Sequence, residues 1–385
     1  TVLIEMGEVA NIPQLRFPEF SNEWEESKVG KVFKVSAGGD IKTENVSQIK
    51  TDGFPYPIYA NAEKAKGLYG YSNLYKSEAN VVTVAGRGVN IGIAHVRLEP
   101  FYPIVRLLVL NPIKDADVKF WENQLNQLNL FVESTGVPQL TAPQISSYKV
   151  KYPSKPEQQK IAAFLTAVDN KIEQLSKKQE LLGEYKKGLM QQIFSQAIRF
   201  KADDGSDFPD WEEKKLGDVS DCLDNRRQPL NGAERNQMKG DIPYYGANGI
   251  VDYVNDYIFD EELVLLAEDG GNFNDFSSKP IAQKISGKAW VNNHAHILKA
   301  KNIIATDFLF YSLVHKDIRR YIVGGSRAKL NKSDLLSIKT ILPPLEEQTK
   351  IANFLSSIDN KIEQVGKQLV ESKQFKKALL QQMFV

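Results

Sequence analysis

The chain has 385 residues, of which 42% are hydrophobic and 25% charged, with a formal net charge of +1. That length predicts two or three domains, because single cores rarely grow beyond about 250 residues. The near-neutral balance excludes a protein that grips polyanions by bulk charge, so any nucleic-acid surface must gather its basic side chains on one face or share the task with a partner. The single cysteine, Cys222, excludes an intramolecular disulfide framework and fits a reducing, cytoplasmic setting. No apolar run approaches the ~20 residues that span a bilayer.

Residues 1–14 read as an N-terminal extension, without an initiator Met and without the basic-then-apolar pattern of a signal peptide. Residues 15–152 follow as a first globule of mixed structure. Its strand patterns fall at 31–35, 80–85, 91–97 and 104–110, with a helix over 116–132. Side chains suited to nucleic acid gather in its turns: Asn61, Lys64, Lys66 and Tyr69, then Arg87 between Gly86 and Gly88, then Asn90 and Gln139. Arg and Lys match guanine edges, Asn and Gln match adenine, and glycine lets the backbone approach phosphate.

A first long helix is predicted over 153–197. Pro153 and Pro156 block upstream extension, and Glu157 suits the positive end of the helix. Its apolar seam runs Ile161, Leu165, Val168, Ile172, Leu175, Gln179, Leu182, Lys186, Leu189, Ile193. The spacing alternates four and three, the heptad pattern of a coiled coil. Tyr185 is expected to cover the apolar face near Lys186.

The second globule, 198–342, again reads as mixed, with strands at 263–267, 289–291 and 295–298 and a helix over 306–322. Its nucleic-acid candidates are Arg226, Arg227, Arg235, Tyr245, Asn248, Asn272, Arg327 and Lys329. The second long helix, 343–385, starts after Pro343-Pro344 with Glu346-Glu347. It carries the seam Ile351, Leu355, Ile358, Ile362, Val365, Leu369, Ser372, Lys376, Leu379, Met383, with Phe375 expected to act as Tyr185 does.

The two helical segments, Glu157 to Phe194 and Glu347 to Phe384, align without a gap and share the block DNKIEQ at Asp169–Gln174 and Asp359–Gln364. Weaker echoes precede them, such as Trp24-Glu25-Glu26 against Trp211-Glu212-Glu213 and Tyr59-Ala60-Asn61 against Gly246-Ala247-Asn248. The order is therefore globule, helix, globule, helix, with the helices kept alike and the globules diverged. An isolated helix of this length, about 57 Å, would expose its stripe. Pairing with its own copy buries the stripe most simply, and an antiparallel pair gives pseudo-two-fold symmetry. The alternative is that each helix packs only on its own globule. The fold class is α+β: two globules separated by an intramolecular antiparallel coiled coil.

Catalytic motifs are missing. Gly86-Arg87-Gly88 lacks the dinucleotide spacing, and there is no P-loop. His294 and His296 share one face of a predicted strand, and strand alternation explains them better than a metal pair. Glu184-Tyr185-Lys186 lies on the coiled coil, and Asn111-Pro112-Ile113 does not supply an adenine-methyltransferase motif. No catalytic residue and no metal ligand is assigned.

The run Leu342-Pro343-Pro344-Leu345-Glu346-Glu347-Gln348-Thr349-Lys350-Ile351, followed by Phe354-Leu355 and Asp359, resembles the helix start of the specificity subunits of type I restriction–modification systems. Leu15-Arg16-Phe17-Pro18 with Trp24-Glu25 resembles their opening. The first copy departs at Tyr152-Pro153-Ser154-Lys155-Pro156 but keeps Glu157-Gln158 and Ile161. The resemblance implies two target-recognition domains reading the halves of a split, asymmetric double-stranded DNA site, with the helices setting the gap. It implies docking of two methyltransferase subunits, which bind S-adenosylmethionine and methylate adenine, and of motor–nuclease restriction subunits that use ATP and magnesium. The chain itself would bind no cofactor and catalyse nothing. Two alternatives are a self-contained restriction enzyme and an assembly scaffold that does not bind DNA.

Overall fold

The computed structural model describes residues 11–62, 64–113, 115–128, 130, 139–325 and 328–385. Two compact units emerge, one formed by residues up to Lys177 with Lys367–Val385, the other by Lys178–Gly366.

In the first unit the elements are β1 (Glu25–Lys28), a single helical turn α1 (Val29–Val32), β2 (Phe33–Ala37), β3 (Val46–Ser47), β4 (Tyr56–Tyr59), β5 (Leu68–Ser72), β6 (Val81–Val84), β7 (Ala94–Arg97), β8 (Tyr102–Pro103), β9 (Leu108–Pro112), α2 (Val118–Asn126), α3 (Ala142–Ser147) and β10 (Lys149–Tyr152). The long helix α4 (Lys155–Phe194) follows. One sheet has the order β2-β9-β6-β7 and the other β3-β5-β4-β8, while β1 pairs with β10. Every residue of β6 is buried. A strand covered on both faces calls for a largely apolar run, and in Val-Val-Thr-Val the one polar side chain, Thr83, donates its hydroxyl to the His95 carbonyl at 3.2 Å.

The second unit repeats this plan. It contains β11 (Glu212–Lys215), α5 (Leu216–Val219), β12 (Ser220–Cys222), α6 (Gly232–Gln237), β13 (Lys239–Gly246), β14 (Gly249–Val254), β15 (Phe259–Asp260), β16 (Leu263–Ala267), β17 (Ala282–Ile285), β18 (Lys288–Val291), β19 (Ala295–Ala300), α7 (Thr306–Leu313), β20 (Ile322–Val323), β21 (Lys329–Leu330), α8 (Lys332–Ser337), β22 (Lys339–Leu342) and the long helix α9 (Leu345–Met383). Its sheets run β12-β19-β16-β17 and β14-β13-β18-β15, with β11 paired to β22. The fully buried β16 takes the place of β6. In both units the sole parallel ladder among the described residues joins equivalent strands, β4 to β8 and β13 to β18.

Each unit contains part of α4 and part of α9, and within each the two run antiparallel. In the first unit Ile161 and Leu165, near the start of α4, share a core with Leu379 and Met383 from the end of α9. In the second, Ile351 and Leu355 share a core with Met190 and Ile193. Leu175, Ile358, Val365 and Leu369 are also buried, whereas Val168, Ile172, Leu182, Leu189 and Ile362 are half-buried. Antiparallel packing places the seam lysines against the aspartates of the repeated block. Lys186 Nζ meets Asp359 Oδ1 at 2.6 Å in one unit, and Lys376 Nζ meets Asp169 Oδ1 at 2.5 Å in the other. Gln179 fills the space above Gly366, where a Cβ would lie 2.8 Å from its Nε2.

One expectation is overturned here. Tyr185 and Phe375 are 54% and 53% exposed and do not cover the apolar face. The lysine stems stay in the seam and pass their charges to aspartate, as long amphipathic side chains do.

The same Asp–Lys repeat has a counterpart at the helix starts. Glu157, 1% exposed, accepts Arg16 Nε and Nη2 at 2.7 and 2.8 Å, and Trp24 Nε1 reaches it at 3.4 Å. Glu347, 0% exposed, accepts Arg199 Nε and Nη2 at 3.2 and 2.7 Å and Trp211 Nε1 at 3.0 Å. These glutamates, expected only to suit the helix dipole, are the buried acceptors that tie each globule to its helix. Such charge-assisted, bidentate pairs are the strong class of hydrogen bond.

Several boundaries differ from the sequence pattern. The strand expected at 31–35 begins at Phe33, because Val29–Val32 turn as a helix. The helix expected over 306–322 ends at Leu313, after which Ile318 enters the core and Ile322 pairs with Leu330 in a short ladder. The helix expected over 116–132 ends at Asn126, and residues 129 and 131–132 of that expectation lie outside the described residues. The strand expected at 104–110 begins only at Leu108, for a reason tied to the site below. Among the described residues, no helix is long and apolar enough to cross a membrane.

Candidate nucleic-acid interface

In the first unit three turns meet at one end of the central sheet: the tip between β4 and β5, the turn after β6, and the turn between β8 and β9. Asn61 links all three. Its Nδ2 donates to the Val105 carbonyl at 2.5 Å, and its Oδ1 accepts the Gly86 N–H at 2.9 Å. Beside it, Arg87 donates from Nε and Nη2 to Gln139 Oε1 at 3.2 and 2.9 Å. Gly86 is held close, since a Cβ there would lie 2.8 Å from the Arg106 carbonyl oxygen and 3.0 Å from that of Leu140.

The backbone at these turns is left-handed. Ala65, Lys66 and Gly67 have φ of 49°, 54° and 86°, and Val105 and Arg106 have φ of 50° and 60°. Non-glycine residues pay roughly 1–2 kcal/mol each for this conformation, and a β-branched residue such as Val105 is a true outlier. Such strain persists only where the surroundings over-determine it, and it concentrates at functional sites. Here the surroundings are explicit. Val105 and Arg106 donate their N–H groups to the carbonyls of Gly39 and Gly38, both at 3.1 Å. The Lys66 carbonyl is clamped by Arg97 Nη2 at 2.7 Å, and the Arg97 guanidinium lies 3.6 Å from the centroid of the Tyr59 ring. Burial lowers the Arg97 pKa from the ordinary guanidinium value. Lys66 and Tyr69 are exposed, Asn90 is half-buried in the turn after β6, and Lys64 lies in the 64–67 turn.

The second unit builds the same end with different chemistry. Asn248 Nδ2 donates to the Gly270 carbonyl at 2.8 Å, and the loops at 229–235, 244–251, 269–270 and 292–294 surround an open cleft of about 1020 Å³. His294 Nδ1 contacts the Asp269 carboxylate. Beneath them lies a buried ion network. Arg227 donates to Glu268 Oε2 at 2.5 Å and to the Ala295 carbonyl at 2.9 Å, and Lys329 Nζ lies 3.1 Å from Glu268 Oε1. His296, 1% exposed, turns Nδ1 to Asp224 at 2.6 Å and Nε2 to the Leu330 carbonyl at 2.8 Å. Burial alone would depress this imidazole, yet the acceptors at both nitrogens outweigh it and raise its pKa to about 9. Burial likewise pushes the Asp224 carboxyl up, but the His296 hydrogen bond carries it below its usual range.

Cys222, Asp224 and His296 bring ligand atoms within 4.8 Å of one another. Both ring nitrogens of His296 are already engaged, and Arg227 stands 3.4 Å from Asp224. The arrangement suits an imidazolium in an ion-pair network better than a cation site.

Several sequence candidates turn out to be internal supports. Arg227 is largely buried against Glu268 and Asp224. Arg235 is held by Asp252 at 3.2 Å and the Leu230 carbonyl at 2.6 Å, over the Tyr244 ring. Arg226 pairs with Glu261 at 2.9 Å over Phe259, and Asn272 caps the Pro280 carbonyl at 3.1 Å. Tyr245 is half-buried, and desolvation raises its phenol pKa. Arg327 lies outside the described residues. The candidates gathered at the sheet ends are Asn61, Arg87 and Gln139 in one unit and Asn248 and Lys329 in the other. Sequence patterning did not single out Arg106, and it weighed His294 only as a metal ligand. Asn292-Asn293, at the place of Ile104-Val105, is the within-chain hint that this stretch is a turn.

Two copies of one α+β frame, each with its own stretch of paired helix and its own loop cluster, define an internally duplicated chain. The profile described as "Type I restriction modification DNA specificity domain" matches residues 21–182 and again 209–372. The chain belongs to that family. A putative type I restriction enzyme specificity subunit of Haemophilus influenzae is 38% identical over 38% of this chain, and the match spans only 37% of that relative's length. The putative MjaX specificity subunit of Methanocaldococcus jannaschii is 25% identical over 98% of this chain and 97% of its own. The crystal structure of a type I restriction–modification S subunit from M. genitalium shares the fold, with a TM-score of 0.69 and 18% identity over 97% of this chain and 99% of that one.

Proposed function

We propose that this chain is the DNA-recognition subunit of a type I restriction–modification complex, non-catalytic by itself. Each unit reads one half of a split, asymmetric double-stranded site, and the paired helices set the indifferent gap. The helices also dock two methyltransferase subunits, with restriction subunits joining them. S-adenosylmethionine, ATP and magnesium then reside on those partners. The observation that carries this reading is the twofold match to a DNA specificity domain on a repeated frame whose loop ends differ in charge and chemistry. Base contacts specify sequence while backbone contacts only position, so two unlike loop ends on like frames suit two unlike half-sites. Partner subunits that share the phosphate contacts account for the net charge of +1.

Footprinting of the assembled methyltransferase complex tests the reading. Two protected sequence blocks flanking an unprotected or sequence-indifferent gap are expected. Sequence-independent protection would favour a scaffold, and cleavage or methylation by the purified chain alone would favour a self-contained enzyme.

A further inference from the structure

We propose that Arg106 in the first unit and His294 in the second occupy one and the same reading position, and that the change of chemistry there sets which base each half-site requires. This rests on the DNA-recognition reading above and assigns residues within it.

The equivalence comes from register. In the first unit the parallel ladder pairs Ile58 with Tyr102, and the antiparallel ladder pairs Val84 with Leu108. In the second, Tyr244 pairs with Trp290 and Leu266 with His296. Arg106 and His294 therefore stand four residues after the paired Tyr102 and Trp290 and two before the paired Leu108 and His296. Their neighbours are equivalent too. The isolated bridge of Arg87 to Gln139 is matched by that of Asp269 to Lys329. The Leu140 N–H bonds the Gly86 carbonyl at 2.9 Å just as the Leu330 N–H bonds that of Glu268 at 2.7 Å.

The two turns are built by different means to present this residue. The first uses the left-handed pair Val105-Arg106, held by Gly38, Gly39 and Asn61. The second uses the Asn292 side chain, whose Oδ1 accepts the His294 N–H at 2.8 Å. Arg106 is exposed, and among the described residues nothing bonds its guanidinium. An unoccupied guanidinium fork matches O6 and N7 of guanine in the major groove. His294 Nδ1 faces the Asp269 carboxylate, so Nε2 is the ring nitrogen left to meet a base. In the neutral imidazole that nitrogen accepts and suits a base offering an amino group, adenine N6 or cytosine N4.

The test is methylation-site sequencing with complexes assembled from the full chain and its methyltransferase partner. Arg106→Ala should relax one guanine-containing base pair in one block, with modification at the cognate base reduced about 5- to 150-fold relative to the other bases. Arg106→Lys should retain part of that preference, and His294→Ala should relax one position of the other block only. Uniform weakening with base preferences intact would assign Arg106 to phosphate and overturn the proposal, while leaving the split-site reading in place. Relaxation in both blocks from either single variant would also overturn it. A wild-type complex that modifies no split motif would overturn the underlying reading itself.

Discussion

The helix-start anchor gives a prediction in which the order of effects matters more than their size. Glu347 is fully buried and accepts two hydrogen bonds from Arg199 and one from Trp211, whereas the Arg199 side chain is 25% exposed and also bonds the Pro209 carbonyl at 2.7 Å. Arg199→Ala leaves a buried carboxylate with only an indole donor. Breaking a buried pair from that side costs about 3–5 kcal/mol. Glu347→Ala leaves a cation that still has carbonyl partners and access to water, so its cost should be nearer ~1–3 kcal/mol. In the double variant the unpaired carboxylate is gone, and the two effects should fall short of additivity by roughly 0.5–3 kcal/mol. Urea unfolding followed by tryptophan fluorescence measures all three. An Arg199→Ala variant no less stable than Glu347→Ala, or strict additivity, would refute the reasoning. Arg16 and Glu157, with side-chain exposures of 10% and 2%, should repeat the pattern.

Further outcomes follow from the same structure. The pKa of His296 is raised to about 9 from an ordinary 6.5, so its contribution is complete below about pH 6.5 and lost as pH rises through about 9. The loss should reach ~3 kcal/mol, and His296→Gln should flatten stability measured across that window. The antiparallel register predicts that Lys186→Glu and Asp359→Lys each lower the melting temperature, while together they restore most of it by remaking the ion pair. Retained loss in the double variant would contradict the pairing. Gly86→Ala would drive a Cβ into two backbone carbonyls and displace the Arg106 turn. Sequence preference should then be lost in one half-site while the other is unchanged, as read by methylation-site sequencing.

The long helices were legible because their information is local. A four-three spacing of Ile, Leu and Val at Ile161, Leu165 and Val168 determines a stripe whatever else the chain does. The gapless repeat then supplies the partner. Tyr185 and Phe375 were misread because a helical projection places them beside the lysines, but only the partner helix reveals the aspartate that lets Lys186 and Lys376 remain in the seam. The turn at Val105-Arg106 was hidden for a different reason. Its residues favour strands, and the left-handed backbone is imposed by Gly38, Gly39 and Asn61, distant in sequence. The role of Arg227 depends on Glu268, forty-one residues away, so a basic pair that reads as a DNA contact is a buried support. His296 was placed correctly by strand alternation, whereas His294 lies in the turn before β19 and takes its partner from the loop after β16.

On the proposed function, two diverged units on a common frame each read their own half of a split DNA site. Exchange of the second unit's globule, residues 198–342, for that of a relative with a different target, followed by methylation-site sequencing, tests it most directly. One sequence block should change while the other block and the gap between them stay the same. A change in both blocks, or a modified motif without two blocks, would contradict it.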